Sequence, residues 1–144
     1  MKKIPIVLGV VFLVTVIANI YFLSLPYYNG TYSDGASQGS YEKYLTFNDN
    51  VATGTDILVA AVRKNDDKIT VYYQDLYTPK TIRTFELKRK SIFRLDMEVA
   101  YNEYVPYTCK EAVETQIGFI LIEAFSIVTA VVVHCQISRT KGSV

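Results

Sequence analysis

One histidine, two cysteines and almost no charge imbalance limit what this 144-residue chain can do. Ser-His-Asp and Cys-His chemistry needs a histidine beside the nucleophile. The only histidine, His134, lies near the end of a long apolar run, so hydrolase chemistry of that kind is excluded from the rest of the chain. Cys109 and Cys135 have no CxxC spacing and no clustered histidine, which argues against a zinc site or a thioredoxin-like motif. The sequence contains no Walker loop, no GxGxxG and no HExxH. A formal net charge of +1 gives no electrostatic case for nucleic acid. Paired carboxylates such as Asp66 and Asp67, or Asp96 and Glu98, fit glycoside hydrolysis in principle, but turns and exposed strand faces account for them. No catalytic residue, metal ligand or cofactor is expected.

Half of the residues are hydrophobic, and they gather at the two ends of the chain. The first run, Ile4 to Leu25, follows Lys2 and Lys3. A signal-peptide core occupies about 7 to 15 residues, and this run continues to the roughly 20 needed to span a bilayer. Cleavage after "VIA" would also leave "IYFLSL" at the new N-terminus, so a retained helix is expected. With no lipobox cysteine following, a lipoprotein is not. The second run extends from about Ile117 to Ile137. Upstream, Thr108 and Glu111 have the spacing of a capping box, which predicts a helix starting near Cys109, about two turns before the membrane.

Short basic tails favour the cytoplasmic side. Lys2 and Lys3 precede the first span, and Arg139 and Lys141 follow the second, so both termini are expected inside and the middle outside. Tyr21, Phe22, Tyr27 and Tyr28 suit the headgroup layer after the first span. Tyr101, Tyr104 and Tyr107 precede the second and read either as headgroup or as core residues.

A carboxylate, Glu123, interrupts the second run. Ionisable groups within a membrane face a bundle interior and are paired. Counting backwards from Leu25 and forwards from Ile117 places Asn19 and Glu123 at the same depth, six positions inside each boundary, or roughly 9 Å. Thr15 lies one turn below Asn19, Ser126 follows Glu123 by three residues, and Ala130 and His134 extend the stripe. The two spans are expected to pack antiparallel through Asn19, Thr15, Glu123 and Ser126, with hydrogen bonds across the interface. Glu123 reads as structural, as a contact to a partner subunit, or as part of an ion or proton path.

Between the spans, "TYSDGASQGSYEKY" reads as a loop or irregular hairpin. "DILVAAV" and "KITVYYQDL" flank a polar turn as two strands, and "TIRTFELKRK" continues the series. In "SIFRLDMEVA", Phe93, Leu95, Met97 and Val99 alternate with polar residues, although Ile92, Leu95 and Val99 also sit at helical spacing, so residues 86–100 stay open between strand and helix. About five strands in succession predict an antiparallel meander closing into a sandwich or a small barrel of SH3 or OB size. The fold class is thus α+β: two membrane helices around an inserted β domain. The expected boundaries are 1–25 for the tail and first span, 26–107 for the β domain, 108–137 for the second helix and 138–144 for the cytoplasmic tail.

The strand with Val71, Tyr72 and Tyr73, followed by Pro79 and placed between two spans, resembles a widespread bacterial family of two-span proteins of unknown function. That resemblance implies a fold and a membrane location and no activity. Lys88, Arg89 and Lys90, with Arg94, form a basic cluster that would contact anionic headgroups or cell-wall polymer, or would be a solvated strand face guarding an edge. Cys109 would form an intersubunit disulfide or stay buried and reduced. Asn29 begins an "NGT" glycosylation sequon that its closeness to the membrane disfavours. The role read from these features is an accessory or interaction subunit of a cell-envelope complex, contacting lipid and either a protein partner or further copies of itself. The competing roles are an extracytoplasmic module binding an unassigned ligand or polymer, and an ion- or proton-conducting oligomer around Glu123.

Overall fold

The computed structural model describes residues 3–143 apart from 36–41, 56, 66, 76 and 79, so Lys2, Asp66, Pro79 and the centre of the Gly/Ser-rich stretch lie outside the described residues. The chain forms two compact bodies, one of residues Met1–Phe22 with Glu114–Val144 and one of Leu23–Val113.

The first body is a pair of helices, α1 (Lys3–Ser24) and most of α2 (Lys110–Gly142). Both are long and apolar enough to cross a membrane. At 1.5 Å per residue they measure about 33 and 50 Å. Phe22 meets Phe119 with ring centroids 5.6 Å apart, Asn19 meets Glu123, and Ile4 shares a cleft with Val133 and Ile137. Rising numbers on α1 therefore meet falling numbers on α2, and the pair is antiparallel. The less exposed positions include Leu8, Phe12, Thr15, Asn19 and Phe22 on α1, and Phe119, Glu123, Ser126, Ala130 and Val133 on α2. Alternating steps of three and four are the seam of a left-handed helix pair.

The second body is a closed antiparallel barrel of eight strands in chain order. They are β1 (Thr31–Ser33), β2 (Tyr44–Asn48), β3 (Val51–Gly54), β4 (Ile57–Asn65), β5 (Lys68–Gln74), β6 (Ile82–Ser91), β7 (Arg94–Ala100) and β8 (Glu103–Thr108). The expected count of about five was too low, and the sandwich alternative is replaced by full closure. An uninterrupted meander also departs from the Greek-key order of an OB fold. Residues 86–100 are strand, with Ile92 and Phe93 at the β6–β7 hairpin, so the helical alternative does not hold. Inward positions follow period two: Leu45 and Phe47, Ile69 and Val71, Val105 and Tyr107 are all buried. Asp49 and Asn102 take left-handed backbone in the β2–β3 and β7–β8 turns, a conformation their short polar side chains tolerate.

The expected capping box is displaced by one residue. Thr108 ends β8, where it pairs with Arg94, and the cap of α2 falls on Cys109. The Cys109 sulfur accepts from the backbone N–H groups of Glu111 and Ala112, the orphan donors of a first helical turn.

Candidate functional site

Asn19 Nδ2 donates to Glu123 Oε1 at 3.3 Å, joining the two helices at the level counted from the sequence. Thr15 and Ser126 are buried on the same seam, but neither hydroxyl crosses it. Thr15 donates to the Val11 carbonyl at 2.8 Å and Ser126 to the Ile122 carbonyl at 2.9 Å. A hydroxyl one turn from a backbone carbonyl finds that acceptor without leaving its own helix, and the expected bonds across the interface are replaced by these. Ala130 continues the seam, whereas His134 is exposed and off it, the next inward position being Val133. Among the described residues, Asn19 Oδ1 and Gln116 Oε1 are buried acceptors without a donor.

The unmatched Asn19 oxygen leads to a prediction. In Glu123→Gln, the new amide N–H can donate to Asn19 Oδ1 while Gln Oε1 still accepts from Asn19 Nδ2, closing a two-bond ring. Glu123→Ala removes the contact, worth about 0.6 to 2 kcal/mol between membrane helices. Titrating the full chain in mixed micelles with sodium dodecyl sulfate should give a helix-separation midpoint at or above the wild type for the Gln variant and below it for Ala. Equal loss in both would rule out the pairing.

The basic cluster does not form a single patch. Period two along β6 turns Lys88 and Lys90 outward and Arg89 inward. Arg89 Nε donates to the Leu25 carbonyl at 3.0 Å and Nη2 to the Leu23 carbonyl at 2.7 Å. Helix α1 has no basic residue in its own last turn, and Arg89 supplies one to its free carbonyls. Arg94 Nε binds Asp96 Oδ1 at 2.7 Å, which lets the Asp96 carboxylate be buried. Lys88 is outward but shares its surroundings with Lys68, Glu86 and Glu98, a surface of mixed sign. Arg89 and Arg94 are thus withdrawn from the expected anionic contact.

Cys109 is fully buried, and burial pushes its thiol pKa up despite the two backbone donors. A sulfur with no accessible surface cannot meet a cysteine of another chain, so the intersubunit disulfide gives way to the buried, reduced alternative. Asn29 is exposed, and its side chain is doubly tied to Asp49: Nδ2 donates to Oδ1 at 3.1 Å and Oδ1 accepts from Asp49 N–H at 3.0 Å.

The two ends of the barrel differ. One carries the β2–β3, β4–β5 and β6–β7 turns together with Arg89, Leu25 and Cys109. The other carries the β1–β2, β3–β4, β5–β6 and β7–β8 connections and bears Tyr44, Tyr77, Ile82 and Tyr101, all exposed. Inside this second end is a cavity of about 250 Å³ lined by Lys43, Tyr73, Asp75, Phe85, Met97 and Tyr107, among others. Sequence reading identified neither the rim nor the cavity, because both exist only once eight strands have closed. Among the described residues, no three His, Cys, Asp or Glu side chains gather into a metal-binding group. No family model matches the chain, and no curated protein or solved structure matches it.

Proposed function

We propose that this chain is an integral membrane protein of two spans that serves, without catalysis, as an accessory subunit of a cell-envelope complex, its barrel outside the cytoplasmic membrane. Only 11% and 6% of the most apolar stretches of the two helices are buried, which is unlike the core helices of a soluble protein. Side chains such as Ile6, Leu13, Leu121 and Phe125 are left open over a surface larger than a soluble monomer tolerates. A bilayer covers it at no cost in hydration. Lys3, Arg139 and Lys141 flank the spans and favour termini on the cytoplasmic side.

The observation that carries the subunit reading is the aromatic rim. Tyr77 and Tyr101 are 77% and 90% exposed at one end of the barrel, with Tyr44 and Ile82 beginning β2 and β6 at the same end. Tyrosine supplies contact area at small entropic cost and is enriched where proteins meet. The polar seam between the helices is consumed within the chain and leaves this rim, with the apolar helix surfaces, for a partner.

The test is purification of the tagged full chain in mild detergent from native membranes, beside Tyr77→Ala/Tyr101→Ala at matched expression. A stoichiometric protein retained by the wild type and lost from the double variant is the expected result. The chain alone in both samples, or a partner retained equally by both, would overturn the assignment of the rim.

A further inference from the structure

Where α1 begins and α2 finishes, Ile4, Val133 and Ile137 form the aliphatic walls of a cleft of about 420 Å³ that is completed by Gln136, Arg139 and Thr140. That size falls within the usual range of small-molecule sites. The lining is graded along the helix axis. Val133 and Arg139 are six residues apart, or roughly 9 Å, and over that distance the wall of α2 passes from aliphatic side chains to a guanidinium.

No acidic side chain of the helix pair opposes the positive charge at this end. No Asp or Glu precedes Asp34 in the chain, and none follows Glu123, which lies 16 positions, or about 24 Å, before Arg139. Among the described residues, Lys3, Arg139 and Lys141 make no ion pair or side-chain hydrogen bond, and the side-chain amide of Gln136 makes none either. Thr140 differs, because its hydroxyl is already given to the Gln136 and Ile137 carbonyls at 3.1 and 2.9 Å.

An occupant that satisfies this cleft is apolar at its inner end and anionic at its outer end. A partner's membrane helix stays apolar over roughly 20 residues and would leave the guanidinium unanswered. A free inorganic anion would leave the aliphatic walls uncovered. A zwitterionic lipid brings its own cation to the place where the chain already supplies three. A guanidinium, by contrast, forks onto two phosphate oxygens, and anionic lipids are concentrated in the cytoplasmic leaflet, the side that the flanking charges favour for this end.

We propose that this cleft binds one anionic phospholipid, the upper part of an acyl chain lying against Ile4, Val133 and Ile137 and the phosphodiester held by Arg139 and the Gln136 amide. Lys3 and Lys141 add to the attractive field from the rim. The site rests on the reading of α1 and α2 as membrane spans.

The test separates the two. The full chain is first mixed with phosphatidylcholine vesicles, floated and washed with alkaline carbonate, and a chain left in the soluble fraction would overturn both the spans and the site. The floated chain is then taken up in a neutral detergent and titrated with phosphatidylglycerol or phosphatidylcholine of the same acyl chains, while native mass spectrometry counts the lipids retained per chain. One phosphatidylglycerol should be held saturably, at least about tenfold more tightly than phosphatidylcholine. Arg139→Gln should weaken it by about tenfold and Arg139→Lys by less, whereas Lys141→Gln should cost no more than about fivefold. Ile137→Trp, which fills the cleft, should abolish retention and leave flotation intact, and excess inorganic phosphate should not displace the lipid. Equal retention of the two lipids, equal losses from Arg139→Gln and Lys141→Gln, retention unchanged by Ile137→Trp, or displacement by phosphate would overturn the lipid site and leave the spans in place.

Discussion

Replacing Phe47 by alanine is expected to cost about 3 to 5 kcal/mol, a large share of the 5 to 15 that ordinarily holds a domain together. Phe47 is 1% exposed, with the Tyr27 ring stacked on it at 4.4 Å and the Tyr32 ring edge-on at 5.6 Å. What puts the cost in the upper part of the range is that neither neighbour can follow the missing ring inward. Tyr27 donates its hydroxyl to the Asp49 carbonyl. Tyr32 donates to the Ile92 carbonyl at 2.6 Å and accepts from the Tyr28 N–H at 2.9 Å. Both rings are held at their far ends, so the hole stays open, and the penalty of a cavity grows with the volume that remains. Guanidinium unfolding of the full chain in mild detergent, followed by the near-ultraviolet circular dichroism of its tyrosines, measures this. Phe47→Leu should lose under about 1.5 kcal/mol. A loss below about 1 kcal/mol for alanine would show that the three rings are not the centre of the barrel.

The second large effect belongs to Arg89. Its two bonds to the last turn of α1 are charge-assisted, and hydrogen bonds to charged groups contribute about 1.5 to 3 kcal/mol. Arg89→Ala also leaves the Leu23 and Leu25 carbonyls without their donor. By the same unfolding measurement, Arg89→Ala should lose about 2 to 3 kcal/mol, while Lys88→Ala and Lys90→Ala should stay within about 0.5. Arg89→Lys should recover only part, because a point charge cannot fork between two carbonyls. If all three alanine variants lost the same small amount, Arg89 would be one more surface charge, and the basic cluster would return as a binding patch.

What could be read in advance follows the range of the interactions. Strands β4 to β7 were legible because Val, Ile, Tyr and Phe alternate between polar turns within a short window. Strand β1 is three residues inside a Gly/Ser/Asp stretch, and β8 contains Pro106, which lacks a ladder donor and demotes a run of residues as a strand. Strands β2 and β3 are joined at Asp49 and Asn50, a tight turn whose signal was missed. On the helices, depth is simple arithmetic along each axis, and it placed Asn19 opposite Glu123. The direction of a hydroxyl is not, since Thr15 and Ser126 choose between an acceptor one turn away and one on the other helix. Arg89 was read as a surface charge because its acceptors lie 64 and 66 positions earlier in the chain.

A barrel whose strands follow chain order closes on a single long-range event. Seven of its pairings join consecutive strands, and such hairpins form at small cost in loop entropy. The eighth joins β1 to β8 through Ser33 and Thr108, about 75 residues apart and, among the described residues, the only pair across that seam. Nearly all the entropy of closing the ring is therefore concentrated where the fewest bonds repay it. The seam is where local opening costs least, so amide hydrogens there exchange before those of β4, β5 and β6.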